Sequence, residues 1–93
     1  MFLVVHHTIT DPETALARGP NLLAENGAPP GVRVREFYPS RDKADVFCLW
    51  GGNSLDEVRD YVDATMGGSS RQAYFEVDAA IARRLPDRAA SQA

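Results

Sequence analysis

The pattern of apolar and polar residues predicts four β-strands in this chain. Residues 2–9 (FLVVHHTI) are rich in β-branched side chains and do not alternate cleanly, which is typical of a central strand buried on both faces. Residues 32–38 (VRVREFY) alternate apolar with charged side chains, and residues 45–50 (DVFCLW) are almost wholly apolar, so we expect these two segments to form an antiparallel hairpin. Residues 72–77 (QAYFEV) predict a fourth strand.

A first helix is predicted after the first strand. Asp11 can cap it, and Pro12 suits the first helical position, where a missing N–H group does no harm. Gly19-Pro20 lies where the middle of this helix should be. Because proline interrupts the hydrogen bonds of a helix interior, we expect a kink or a division into 12–18 and 20–26.

The second helix carries the clearest local signal of the sequence. In the stretch SLDE, Ser54 is expected to cap the helix and Glu57 to return to the amide of Ser54, as in a capping box. Apolar residues then recur at helical spacing on one face: Leu55, Val58, Val62 and Met66. Gly67-Gly68 is expected to end this helix, and Asp78 to cap a short last helix that runs to about Leu85.

The order of these elements is β-α-β-β-α-β, which predicts an α+β, ferredoxin-like fold. Such a fold has a four-stranded antiparallel sheet with two helices on one face. We expect one domain over residues 1–86 and a flexible tail over residues 87–93. The uncovered sheet face needs a partner, and for so short a chain we expect a homodimer, in the manner of a dimeric α/β barrel.

Composition narrows the classes of function. The net charge is -3 and the ten basic residues are scattered, so a nucleic-acid partner is not expected. The single cysteine, Cys48, excludes an internal disulfide bond and a multi-cysteine metal site. The apolar start is too short for a signal peptide or a membrane span, so we expect a cytoplasmic protein without a membrane partner. No glycine-rich phosphate loop or dinucleotide fingerprint occurs.

The segment VFCLWGGNSLDEVRDYVDATMGGSSRQAYFEVDA (residues 46–79) resembles small, mostly uncharacterised bacterial proteins. These proteins carry a C-L-W or C-L-Y strand before an S-x-x-x-V-R helix and end in a Y-F-E-V-D-type strand. The opening VVHHTITDPE (residues 4–13) looks like their first strand and helix start. Their fold is similar to that of ferredoxin-like dimeric α/β-barrel proteins, which include a nickel-binding branch and small cofactor-free oxygenases and isomerases. The resemblance covers roughly residues 2–85, and Gly19-Pro20 departs from the continuous helix of those proteins.

His6 and His7 are the only histidines, and either is a candidate catalytic residue because histidine titrates nearest neutral pH. Adjacent residues of a strand point to opposite faces, so His7 should face the helices with Leu3, Val5 and Ile9, and His6 should face away. His7 is the expected working residue if a cavity lies under the helices, and His6 if it lies between subunits. The alternative is that one histidine is hydrogen-bonded in the core and the other lies at a dimer surface.

Three aromatic residues are candidate ligand-binding residues. Tyr38 and Tyr74, in the second and fourth strands, could orient a ligand through their hydroxyl groups. Trp50, at the end of the third strand, could form a pocket wall, although core or interface is the more common place for such a residue. Together these residues predict a small-molecule binding protein or a cofactor-independent enzyme that acts on a small, largely apolar organic ligand.

A transition-metal site is the alternative. It needs three or four ligands, and the side chains that could supply them show no metal-type spacing. They are His6, His7, Cys48, Glu36, Glu76 and Asp78. Nickel is implied by the resemblance rather than by these residues. The third hypothesis is that the protein is a non-catalytic dimerisation module without a ligand.

Overall fold

A computed structural model describes residues 1–86 and contains the predicted β-α-β-β-α-β order. The strands are β1 (Phe2–Ile9), β2 (Arg33–Pro39), β3 (Asp45–Gly51) and β4 (Ser70–Glu76). The helices are α1 (Pro12–Leu23) and α2 (Leu55–Met66), and a 3₁₀ turn (Gly67–Ser69) joins α2 to β4. The predicted tail over residues 87–93 lies outside the described residues.

The four strands form one antiparallel sheet in the order β2-β3-β1-β4, which confirms the ferredoxin-like α+β fold. β1 is central, as its composition predicts. It is buried on one face only, however, because both helices pack on that face and no element of residues 1–86 packs on the other. The helix-facing core includes side chains with no exposed surface: Leu3, Val5, Trp50, Val58 and Val62. We call the opposite side of the sheet the open face.

The first helix is a single helix that ends at Leu23, so the predicted division into 12–18 and 20–26 is wrong. Pro20 lies inside α1, and the N–H of Ala24 still donates to the Pro20 carbonyl oxygen at 2.9 Å. One missing hydrogen bond is therefore tolerated because the bonds around it persist. The helix ends earlier than predicted because Glu25 takes a left-handed conformation (φ 59°), which stops the helical path.

The capping box of α2 is half formed. Ser54 Oγ accepts the N–H of Glu57 at 3.1 Å, as predicted. The reverse bond is missing, since the buried Glu57 Oε1 has no hydrogen-bond partner among the described residues. The apolar stripe of α2 is confirmed, because Val58, Val62 and Met66 are buried.

The predicted last helix after Asp78 is wrong. Asp78 Oδ1 accepts the N–H of Ala80 at 3.0 Å, and the Asp78 carbonyl oxygen accepts the N–H of Ala82 at 3.0 Å, so the chain forms a turn. Arg84 then takes a left-handed conformation (φ 61°), and helical propagation past this point is prevented. Within residues 1–86, no helix is long and apolar enough to cross a membrane.

A β-bulge in β2 changes which side chains face the helices. The register against β3 shifts between Val34 and Glu36, so that Val34 and Phe37 pair with the helix-facing residues of β3. In a regular strand, Tyr38 would share the face of Val34. The bulge instead places Tyr38 opposite Phe47, on the open face, and brings Phe37 and Pro39 towards the helices.

Candidate functional site

A cavity of about 490 Å³ lies between α1 and the sheet. We call it the α1 cavity, and its size falls within the range of about 300–1,000 Å³ that is usual for small-molecule sites. Its walls are almost wholly apolar and come from both helices and three strands; they include Leu16, Leu22, Phe37, Val46, Cys48 and Met66. Two basic side chains, His7 and Lys43, also line it.

The cavity exists because the middle of α1 presents little side-chain volume to the sheet. Ala15, Gly19 and Pro20 all line the cavity. A Cβ atom added at Gly19 would meet nothing within 4 Å. Gly19-Pro20 predicts a helix break, but in the structure both residues lie within α1. Their small volume leaves space between this helix and the sheet.

His7 is the buried polar group of this cavity, with 2% of its surface exposed. It lies on β1 between Val46 of β3 and Gln72 of β4. Its Nδ1 is 3.3 Å from Gln72 Oε1. Its Nε2 is buried and has no hydrogen-bond partner in the part of the chain that the structure describes. Nδ1 is therefore hydrogen-bonded within the protein, and Nε2 has no partner among residues 1–86.

The orientation of Gln72 decides which nitrogen of His7 carries the hydrogen. Gln72 Nε2 donates to Asp63 Oδ1 at 2.9 Å, and a carboxylate can only accept, so the amide nitrogen faces Asp63. The amide oxygen then faces His7 and also accepts the hydroxyl of Ser70. An oxygen acceptor requires a hydrogen on His7 Nδ1, and Nε2 keeps its lone pair.

Asp63 is held in turn by Tyr74, whose hydroxyl donates to Asp63 Oδ1 at 2.6 Å. Burial, together with the Asp63 carboxylate, raises the pKa of Tyr74, so its hydroxyl stays protonated and remains a donor. Tyr74, Asp63 and Gln72 thus form a hydrogen-bonded chain that ends on His7. The helical spacing of α2 indicates only that Asp63 is an exposed acidic residue. The sequence near this position therefore does not predict that Asp63 orients Gln72.

Burial lowers the pKa of His7, although the hydrogen bond with Gln72 acts in the opposite direction. Since the ordinary pKa of histidine is about 6.5, the imidazole is neutral at pH 7. Burial raises the pKa of the nearby Cys48 thiol to about 11, so this cavity residue is a protonated thiol and a poor nucleophile. The chemically available group is the lone pair of His7 Nε2.

His6 and Tyr38 lie away from the cavity, on the open face. His6 Nε2 is 2.8 Å from Asp45 Oδ1, and its ring stacks on Phe47 with the ring centroids 4.5 Å apart. Tyr38 is 58% exposed. The two adjacent histidines therefore have separate surroundings, as the strand geometry predicts.

Trp50 and Tyr74 face the helices but do not line the cavity. Trp50 is fully buried in the core, where its ring meets Tyr61 edge-on with a centroid distance of 6.1 Å. Tyr74 reaches the site only through Asp63 and Gln72. The structure brings His7 to the cavity, and Phe37 and Lys43 are among the lining residues that the sequence did not predict.

The six candidate metal ligands do not assemble. His6 lies on the open face and His7 on the helix-facing side of the same strand. Among residues 1–86, no group of three or more His, Cys, Asp or Glu side chains is placed to hold a metal ion. These residues therefore do not fit the nickel site that the resemblance implies.

Comparisons of the chain with models of protein families, with curated proteins and with solved structures found no match. The resemblance of residues 46–79 to small bacterial proteins stays a prediction. The function is best argued from the geometry of the α1 cavity.

Proposed function

We propose that this protein binds a small, largely apolar organic molecule in the α1 cavity and holds it by a hydrogen bond to His7 Nε2. The observation that carries the proposal is a buried ring nitrogen that has no partner among residues 1–86, on a histidine that lines an apolar cavity. A buried polar group left unsatisfied costs about 1–3 kcal/mol. A ligand with one N–H or O–H donor would remove that cost and bury its apolar body against the walls.

The same nitrogen has the properties of a general base. It is neutral, keeps a lone pair, and is oriented through its other nitrogen by Gln72 and Asp63. A proton taken from a ligand O–H group, or from a C–H group next to a carbonyl, would leave a charged imidazole. The Gln72 amide oxygen and the Asp63 carboxylate would then stabilise that charge. This chemistry is that of a cofactor-independent enzyme.

Binding of a matched pair of probes tests the proposal. 4-Ethylphenol and ethylbenzene differ by one hydroxyl group, and we expect the phenol to bind the wild type about fivefold to tenfold more tightly, as one hydrogen bond to a buried acceptor provides. Calorimetric titration measures both affinities. The preference should vanish in His7→Phe and persist in His6→Phe, which alters the neighbouring histidine on the other face. Equal binding of the two probes to the wild type would contradict the proposal.

We also propose a homodimer formed through the open face. Aromatic side chains there are unusually exposed: Tyr38 (58%), Phe47 (44%) and Phe75 (57%). Phe75 pairs with Val4, Phe47 with His6 and Tyr38 with Phe47, so the aromatic side chains belong to one surface across all four strands. Light scattering at micromolar concentration should report a dimer for the wild type and a monomer for Phe47→Glu. A monomeric wild type would exclude this arrangement.

A further inference from the structure

The second basic residue that lines the α1 cavity, Lys43, is an exposed residue of the turn between β2 and β3. Lys43 is the only lysine of the chain and takes a left-handed backbone conformation (φ 63°), which is uncommon for a residue with a side chain. The turn around it holds this conformation. Its N–H donates to the Ser40 carbonyl oxygen at 3.0 Å, and Asp42 Oδ1 accepts both the Ser40 hydroxyl at 2.7 Å and the Ala44 N–H at 3.0 Å.

The cavity carries a positive charge that nothing in its walls balances. None of the lining residues is acidic. Lys43 forms no ion pair with any residue between positions 1 and 86. The Asp42 carboxylate of the same turn accepts the Ser40 hydroxyl and the Ala44 N–H group and forms no ion pair with Lys43. A cation without an ion pair, beside walls that carry no negative charge, favours a monoanion.

The two basic residues of the cavity therefore prefer different groups. His7, which is buried, offers a lone pair at Nε2 that attracts a donor and repels a carboxylate. Lys43, which is exposed, carries an ammonium group that attracts an anion. The apolar walls include Leu16, Leu22 and Phe37.

We infer that the ligand is an amphipathic monocarboxylic acid whose hydrogen-bond donor points to His7, whose apolar body fills the cavity, and whose carboxylate lies at Lys43. This inference rests on the proposed function and adds to it the charge of the ligand and its direction in the cavity. It predicts that a carboxylate improves binding only when it is placed at the end of the molecule away from the donor.

Three probes separate the contributions: 3-(4-hydroxyphenyl)propanoate has both groups, 4-ethylphenol has the donor alone, and 3-phenylpropanoate has the anion alone. We expect the hydroxy acid to bind the full chain about threefold to fivefold more tightly than 4-ethylphenol at low salt, which is the usual strength of a solvent-exposed ion pair. That advantage should shrink in 0.5 M salt, because exposed charges are then screened. 3-Phenylpropanoate should bind more weakly than the hydroxy acid.

Lys43→Met should remove the advantage in affinity that the hydroxy acid has over 4-ethylphenol. Arg41→Met is the matched control, since it removes one positive charge from the same turn at a residue that does not line the cavity. Equal affinities of the acid and the phenol for the wild type, or equal effects of the two variants, would overturn the inference. In either case, binding of 4-ethylphenol that depends on His7 would still support the proposed function. No binding that depends on His7, with any probe, would overturn both.

Discussion

His6 and His7 are adjacent in β1, yet their surroundings differ in almost every respect. His6 is half-buried on the open face, where Asp45 binds its Nε2 and Phe47 stacks on its ring. His7 is buried under α1, bonded at Nδ1 to Gln72 and unpartnered at Nε2 within the described part of the chain. The same side chain is therefore satisfied on one face and left with an available lone pair on the other. What distinguishes them is the set of neighbours that distant parts of the chain bring to each face.

The largest difference between the two positions should appear when each histidine is replaced by a charged residue. His7→Glu would place a carboxylate in an apolar, buried position and should lower the free energy of unfolding by about 3 kcal/mol or more. His6→Glu lies at a half-exposed position beside Asp45 and should lower it by about 1 kcal/mol or less. Urea unfolding measures both. Equal losses in the free energy of unfolding would mean that the two positions are equally accessible to water, which would contradict the structure.

Filling the cavity should affect ligand binding without disturbing the open face. Gly19→Leu adds a side chain where the wall has free space, and leucine is the better helix former by about 0.8–1 kcal/mol. We expect the variant to unfold at higher urea concentration and to bind 4-ethylphenol about tenfold more weakly, because the ligand and the new side chain compete for one volume. Calorimetry and urea unfolding provide the two measurements.

Gly68→Ala is the control for that experiment, since a Cβ atom there also meets nothing within 4 Å but the residue does not line the cavity. It should leave the affinity for 4-ethylphenol unchanged. Undiminished binding by Gly19→Leu would place the ligand elsewhere in the molecule. The oligomeric state should be the same in both variants, because neither changes the open face.

Much of this comparison follows from local sequence pattern. The geometry of a regular strand correctly separates His6 from His7, and the spacing of Val58, Val62 and Met66 correctly gives the buried face of α2. Both periodicities are properties of neighbouring residues, so they are informative wherever a strand or helix is regular. The element order in turn predicts the sheet topology.

The rest depends on irregular backbone and on contacts between distant residues. The bulge in β2 places Tyr38 on the open face and Phe37 at the cavity. The residue types near position 35 do not predict this bulge. The pairing of Gln72 with His7 requires the register of β4 against β1, and the contact with Asp63 requires the packing of α2 on β4. The intrinsic propensity of Gly19-Pro20 predicts a break in the helix, which the surrounding helix overrides.

The lowered pKa of His7 predicts a pH dependence of stability that His6→Phe should keep and His7→Phe should lose. The folded protein resists protonation of His7, so below about pH 6.5 the unfolded chain binds the proton first. Stability is therefore fully present above the unfolded pKa and falls as the pH decreases towards the lower folded pKa. Urea unfolding between pH 7.5 and pH 5 measures this slope. An identical slope in the wild type and His7→Phe would assign it to another group.

The smallest effect should come from loosening the orientation of His7 without touching it. Asp63→Asn replaces an acceptor-only group by one that can also donate, so Gln72 no longer has a preferred direction and can turn its nitrogen towards His7. We expect a mixture of the two neutral tautomers of His7 in long-range proton–nitrogen NMR spectra, and a loss of about threefold in affinity for 4-ethylphenol. The signals of His6 should not change.

Asp60→Asn is the control, since Asp60 is an exposed residue of the same helix that contacts Arg59, and this variant should alter neither histidine. A single Nδ1–H tautomer of His7 in the Asp63→Asn protein would show that Ser70 and the cavity walls, rather than Asp63, set the direction of Gln72.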